Sequence, residues 1–209
     1  VMGPNGSGKS TLAHALMGRP GTTVTAGSIS IGATELAGEP SWRRARAGLY
    51  LALQHPIEVP GVRLEAVMAD ALEAMGHDRD DVLGALAAEA DRIGFDRRFL
   101  DRALNVDLSG GERKRNEILQ LGVVRPRFAV LDEIDSGLDV DALRAVAARV
   151  EQATTEWGLG VLAVTHFRRL LDELAADRVH VMIGGRIVAE GGPELANELD
   201  ASGYGAYGR

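Results

Sequence analysis

The sequence predicts an α/β fold: a mostly parallel sheet wrapped by helices, with a helical subdomain inserted. Three observations carry that expectation. Gly3-Pro4-Asn5-Gly6-Ser7-Gly8-Lys9-Ser10-Thr11 matches the pattern G-x-x-x-x-G-K-[ST] and runs straight into a helical stretch. Short apolar runs at 48–53, 128–131 and 160–165 alternate with amphipathic segments. Residues 63–103 are rich in Ala, Leu, Glu and Arg, with apolar positions three and four apart.

The elements follow in order. Residues 11–17 read as a helix. Residues 22–31 are rich in β-branched side chains, alternate at Ile29 and Ile31, and read as a strand. The run 48–53 reads as a buried strand ending at Gln54-His55-Pro56, and Pro60-Gly61 marks a turn. Leu64, Val67, Met68, Ala71, Leu72 and Met75 form one helical face, and 81–93 forms a second helix. A third helix, 112–121, follows Leu108-Ser109-Gly110-Gly111, so the helical subdomain is expected over 63–120 of a single domain, 1–209. Then come a strand at 128–131 ending in Asp132-Glu133, a helix at 139–155, a strand at 160–165 ending at His166, and a helix at 167–175. A hairpin pairs 179–183 with 186–189 around Gly184-Gly185, and a short helix begins at Pro193. The tail, 202–208, is expected to be mobile or ordered by a partner. A phosphate loop must follow a buried strand, yet only Val1 and Met2 precede this one. The chain is therefore expected to be an N-terminally shortened fragment, whose missing part would hold that strand and an adenine-stacking aromatic.

Composition limits the function classes. Lys plus Arg is 23 and Asp plus Glu is 30, giving a net charge of −7. That argues against a dedicated nucleic-acid binder, whose footprint is a basic patch. The local basic runs Arg113-Lys114-Arg115 and Trp42-Arg43-Arg44-Ala45-Arg46 read as solvated helix faces or partner contacts. The apolar fraction of 45% and charged fraction of 25% suit a folded globule. No apolar run approaches the ~18 residues of a membrane helix, and none reads as a signal peptide. Cysteine is absent, which excludes disulfides and thiolate metal sites.

The chemistry gathers at a few positions. Glycines at 3, 6 and 8 let the backbone curl so that successive N–H groups face phosphate oxygens. Lys9 adds a point charge at the β- and γ-phosphates, and the Ser10 hydroxyl can ligand Mg²⁺. Asp132, at the end of an apolar strand, can hold Mg²⁺ through water. Glu133 can polarise an attacking water as general base, an effect worth ~10²–10⁴-fold. Ser109, Gly110 and Gly111 open a helix and form either a second anion site or an N-cap with Glu112. Gln54 can touch Mg²⁺ and the water, or be a surface polar residue. His166 can hydrogen-bond the γ-phosphate or be structural.

Together these residues resemble the ATP-binding cassette family, a P-loop NTPase type, across essentially the whole chain. Gly3 to Thr11 resembles Walker A, Gln54 the Q-loop, and Leu108 to Glu112 the LSGGQ-type signature. Phe128 to Glu133 resembles Walker B, Ser136-Gly137-Leu138-Asp139 the D-loop, and His166 the H-loop. The resemblance implies ATP hydrolysis with Mg²⁺ in a transient head-to-tail homodimer, where Ser109, Gly110 and Gly111 act in trans and Asp139 lies at the seam. From Gln54 to Ser109 is 109 − 54 = 55 residues, too short for the coiled coil of a chromosome-maintenance ATPase. The stretches from Ser109 to Gln120 and from Asp132 to Leu143 are more closely similar to the SufC subfamily of iron–sulfur cluster assembly ATPases. Ile134-Asp135 stands where transporter cassettes usually carry Pro-Thr or Ala-Thr. That similarity implies SufB- and SufD-like scaffold partners and a cytoplasmic location. The energy subunit of a membrane importer is the rival; a non-hydrolysing binding module is disfavoured by the presence of Lys9, Asp132 and Glu133.

Overall fold

The computed structural model describes residues 1–78, 80–165 and 168–207, and of Arg168 only the backbone. Val1 and Met2 lie in a strand slot. Met2 bridges Thr165 on one side and Val181 on the other, both parallel. The chain then bends through the glycine-rich loop into helix α1 (Lys9–Met17), which ends on the left-handed Gly18. The strand expected over 22–31 is confined to β1 (Ser30–Ile31), paired with β2 (Thr34–Glu35). Its neighbourhood is organised instead by the Glu35 carboxylate, which accepts the backbone N–H groups of Ile29, Leu36 and Ala37.

A short helix, α2 (Ser41–Arg46), comes next. Its basic run is a solvated face at Arg43 and Arg46, as expected, but not at Arg44. Trp42 is exposed, but Arg44 is buried and donates to the carbonyls of Glu39, Ala15 and Leu16, closing the last turn of α1.

Strand β3 (Leu49–Ala52) leads into α3 (Leu64–Ala74), α4 (Val82–Arg92) and α5 (Gly110–Val124). On α3 the predicted face is the buried one, with Leu64, Met68 and Leu72 inside. Asp81 caps α4 through the N–H of Gly84. The chain returns in β4 (Phe128–Asp132), α6 (Val140–Trp157) and β5 (Gly160–Val164). β3, β4 and β5 pair in parallel in that order, with Ala52 opposite Leu131 and Asp132 opposite Val164. Helix α7 (Arg168–Glu173) precedes the antiparallel hairpin of β6 (Val179–Ile183) and β7 (Arg186–Gly191). Residues 1 and 2 thus sit between the three-stranded sheet and the hairpin.

The main core joins the helices between β3 and β4 to the sheet through Leu86, Ile118, Leu121, Leu131, Leu143 and Val146. Through it runs a buried ion pair. Arg149 on α6 donates to Glu89 on α4 at 2.6 and 2.9 Å. The Glu89 carboxylate fits there because residue 122 on α5 is glycine; a Cβ at that point would collide with it.

The tail also departs from expectation. After α8 (Glu194–Ser202), residues 204–206 make a 3₁₀ turn, and Tyr204 and Tyr207 pack on Met2, Val179, Val181 and Leu195 of the same chain. Gly208 lies outside the described residues.

Candidate functional site

The loop between Met2 and α1 is shaped by its glycines. A side chain at Gly3 would collide with the carbonyl of Met182, and Gly6 and Gly8 have left-handed backbones at φ 77° and 104°. The turn of the β6–β7 hairpin braces the loop from behind, where the Gly185 N–H donates to the Ser7 carbonyl at 2.8 Å. Gly8 begins α1 with no side-chain cap and no acid follows in the first turn, so the positive end of the helix is open to an anion. The Lys9 ammonium is buried and donates to the carbonyls of Gly3 and Pro4 at 2.9 and 3.0 Å. Burial lowers its pKa, partly offset by the charges of Glu133 and Asp132. The Ser7 hydroxyl is buried without a hydrogen-bond partner. An uncapped helix end, a desolvated cation and an unpartnered hydroxyl around one curled loop are what an anionic ligand would satisfy.

The strand ends supply the opposite charge. Ser10 Oγ donates to Asp132 Oδ1 at 3.1 Å, joining α1 to the carboxyl end of β4. Burial raises the Asp132 pKa, the Ser10 hydrogen bond lowers it, and Glu133 raises it further. Gln54, two residues beyond β3, donates from Nε2 to Glu133 Oε2 at 2.7 Å. Glu133 itself has a left-handed backbone, φ 49°, unusual for a residue with a side chain. Its N–H donates to Val164 O at 2.9 Å, and its carbonyl accepts from the Ser136 hydroxyl and from Lys114 Nζ at 2.8 and 3.1 Å. Backbone strain of this kind persists where surrounding bonds over-determine it.

The structure therefore brings together Gly3, Pro4, Ser7, Gly8, Lys9, Ser10, Gln54, Asp132 and Glu133. Asn5 and Gly6 lie at the exposed rim of the loop, and Thr11 is exposed on α1. Ser109 is engaged as the α5 N-cap, in a reciprocal box with Glu112 at 3.3 and 2.7 Å. Gly110 faces open space, while a Cβ at Gly111 would lie 3.3 Å from the Gly137 carbonyl. The signature thus packs on the loop that ends at Asp139, which caps α6 through the N–H of Ala142 at 2.8 Å. His166 lies outside the described residues. Its neighbour Thr165 donates to Asp135 Oδ2 at 3.1 Å, and Arg169 donates to the Asp135 carbonyl at 2.7 Å.

One reading needs correction. The run Arg113-Lys114-Arg115 is not a solvated face. Arg113 reaches Leu108 O and the Glu58 carboxylate, and Arg115 reaches Gly94 O. Lys114 is buried, and its ammonium joins Leu53 O to Glu133 O, both at 3.1 Å. Glu117, one turn on, is also buried; burial raises its pKa to about 7 against the Leu53 hydrogen bond and the Lys114 charge. Helical spacing was the clue to both: Lys114 and Glu117 share a stripe with the buried Ile118 and Leu121.

The donor set suits a hard, hydrated cation. Ser10 and Asp132 offer oxygens, and among the described residues no group of three His, Cys, Asp or Glu could hold a metal. Mg²⁺ characteristically keeps several waters and binds through one or two carboxylates plus phosphate oxygens. A groove of about 750 Å³, lined by Leu16, Ile31, Phe128 and Trp157, lies at the opposite, amino ends of the strands. Ligands of open α/β sheets bind at the carboxyl ends, where Asp132 and Gln54 stand.

Residues 1–136 match the family model described as ABC transporter. The chain is 44% identical over 209 residues to "Vegetative protein 296" of Bacillus subtilis (strain 168), covering 98% of this chain and 80% of that protein. It is 43% identical over 211 residues to "Probable ATP-dependent transporter ycf16" of Cyanophora paradoxa, covering 98% and 81%. Among solved structures, one titled "Structure of ATP binding subunit of ABC transporter" superposes with a TM-score of 0.79 at 24% identity, covering 100% of this chain and 82% of that one. A dimeric bacterial ABC transporter cassette gives 0.78 at 19% identity, covering 92% and 83%. These last two likenesses concern the fold.

Proposed function

The chain belongs to the ABC transporter family of ATPases, and from that membership we propose how its residues divide the hydrolysis of ATP to ADP and phosphate. The glycine-rich loop and the open end of α1 seat the phosphates, and Lys9 neutralises charge on the β- and γ-phosphoryl oxygens. Ser10, Asp132 and Gln54 would hold Mg²⁺ when nucleotide is bound. When bound, Mg²⁺ neutralises charge developing on the phosphoryl oxygens. Glu133 accepts the proton of the attacking water, and Gln54 holds the Glu133 carboxylate in place. His166 steadies the γ-phosphate. Ser109, Gly110, Gly111 and Asp139 act across a head-to-tail dimer, each signature closing on the partner copy's nucleotide.

One observation carries this reading: Lys9, Ser10, Gln54, Asp132 and Glu133 converge at the carboxyl ends of β3 and β4. Glu133→Gln should retain ATP binding while phosphate release falls ~10²–10⁴-fold, the range for losing a general base. Undiminished release would remove Glu133 from this role.

The work driven by that hydrolysis is read as reshaping a SufB- and SufD-like iron–sulfur assembly scaffold in the cytoplasm. The residues from Ser109 to Gln120 and Ile134-Asp135 support it, and the absence of cysteine fits it and the transporter reading alike. The second reading, the energy subunit of a membrane transporter, is favoured by the printed names of the relatives. Among the described residues no helix is long and apolar enough to cross a membrane. Affinity capture from the native host separates the two readings: a soluble scaffold pair supports the first and a polytopic permease the second.

A further inference from the structure

The residue after β3 has left the sheet, whose pairing with β4 ends at Ala52 opposite Leu131. The backbone of Leu53 must find its partners elsewhere. It finds both on one helix: its N–H donates to Glu117 Oε2 at 3.3 Å, and its carbonyl accepts from Lys114 Nζ at 3.1 Å. A third tie, from the Tyr50 hydroxyl to the Glu117 carbonyl at 2.8 Å, fixes β3 to the same turn of α5. The next residue along is Gln54, whose amide lies 2.7 Å from Glu133 Oε2. We infer that Glu117 is a positioning residue for hydrolysis, one that holds the Leu53 peptide so that Gln54 meets Glu133.

The chemistry of the place supports a role beyond packing. Glu117 is 7% exposed, and a buried carboxylate costs free energy that an apolar side chain of similar size would not. What the carboxylate provides is an acceptor aimed at the Leu53 N–H and a counter-charge beside the buried Lys114 ammonium. Because α5 begins at the Ser109 cap, the clamp also ties the signature to Gln54 through a single rigid helix.

This inference rests on the roles proposed for Gln54 and Glu133, and the test separates the two. The full chain is assayed for ATP turnover as Glu117→Met, Glu117→Gln, Gln54→Ala and the double variant Gln54→Ala with Glu117→Met. Glu117→Met removes the acceptor at nearly constant length and should lower kcat about tenfold, with KM for ATP within about twofold, because it misplaces a reacting group without touching the phosphate seat. Glu117→Gln keeps an amide oxygen for the Leu53 N–H and should recover most of that loss. In the Gln54→Ala background, Glu117→Met should add nothing, since the residue acts through Gln54. A kcat loss that multiplies undiminished in that background, or an unchanged kcat for Glu117→Met, would overturn the inference alone. An unchanged kcat for Gln54→Ala would overturn the site reading and this inference with it. If Glu117→Met does not fold, Glu117→Asp, which withdraws the acceptor by one methylene, should show the same kcat loss, and its absence would overturn the inference equally.

Discussion

Lys9 and Lys114 hold matching positions in two regions of the molecule, the glycine-rich loop and the amino half of α5. Each is 4% exposed, each gives its ammonium to two backbone carbonyls, and in each burial lowers the pKa while Asp132 and Glu133 raise it. They differ in reach. Lys9 takes its carbonyls from five and six residues away, within its own loop. Lys114 takes its own from 61 and 19 residues away, on the segment before Gln54 and on the turn bearing Glu133. Lys9 is therefore a charge presented by a local bend, and Lys114 a strut between three distant pieces of chain. One should govern ligand binding and the other the placing of groups around it.

Exchanging the two lysines tests that contrast most directly. Lys9→Ala should weaken ATP binding by about 10²-fold or more, since it removes the loop's own counter-charge to the phosphates; calorimetry with ATP and Mg²⁺ reads it. Lys114→Met should leave that affinity within about threefold yet cut kcat about tenfold, because Leu53 and Glu133 lose a shared anchor. It should also cost about 1–3 kcal/mol of stability by urea denaturation, for the Leu53 carbonyl left without its donor, while the Glu133 carbonyl keeps the Ser136 hydroxyl. Equal losses of affinity in the two variants would erase the distinction.

The α5 cluster also makes a prediction in pH. Glu117 titrates at about 7 in the fold, above its ordinary 4.5, so between those values the native state binds more protons than the unfolded one. Stability contributed there is full below about pH 4.5 and is lost as pH rises towards 7. Lys114 has the opposite shift; the native state releases its proton early, and stability is recovered as pH climbs towards 10.5. Urea midpoints at pH 5 and 7.5 should show the first slope, and Glu117→Gln should flatten it. The smallest effect concerns the brace behind the phosphate loop. Gly185→Ala places a side chain at φ 78°, which should cost about 1–2 kcal/mol and raise KM for ATP slightly, leaving kcat nearly unchanged.

What could be read from the sequence follows the same division. The phosphate loop, the acids ending β4 and the Ser109 cap are contiguous patterns, and a contiguous pattern carries its own geometry. Strands β3, β4 and β5 and the face of α3 were legible because burial imposes a period on them. Arg113, Lys114 and Arg115 misled because three successive helical residues point 100° apart; their run of charge is three separate errands, to Glu58, inward, and to Gly94. Arg44 misled for the same reason, its neighbours Trp42 and Arg43 being exposed. Of the strand expected over 22–31 only Ser30–Ile31 forms, and just before it the Ile29 N–H goes to the Glu35 carboxylate instead of a neighbouring strand.

The passage left for Glu89 beside Gly122 bears on how such a chain can drift. A methyl group at 122 would evict the carboxylate, and an evicted carboxylate would leave the buried Arg149 guanidinium with only the Glu156 carboxylate at 3.4 Å, a costly loss for a cation in the interior. No one of the three positions can wander alone. Descendants should keep the trio intact or exchange it wholesale, making these sites on α4, α5 and α6 a single unit of inheritance written in three places.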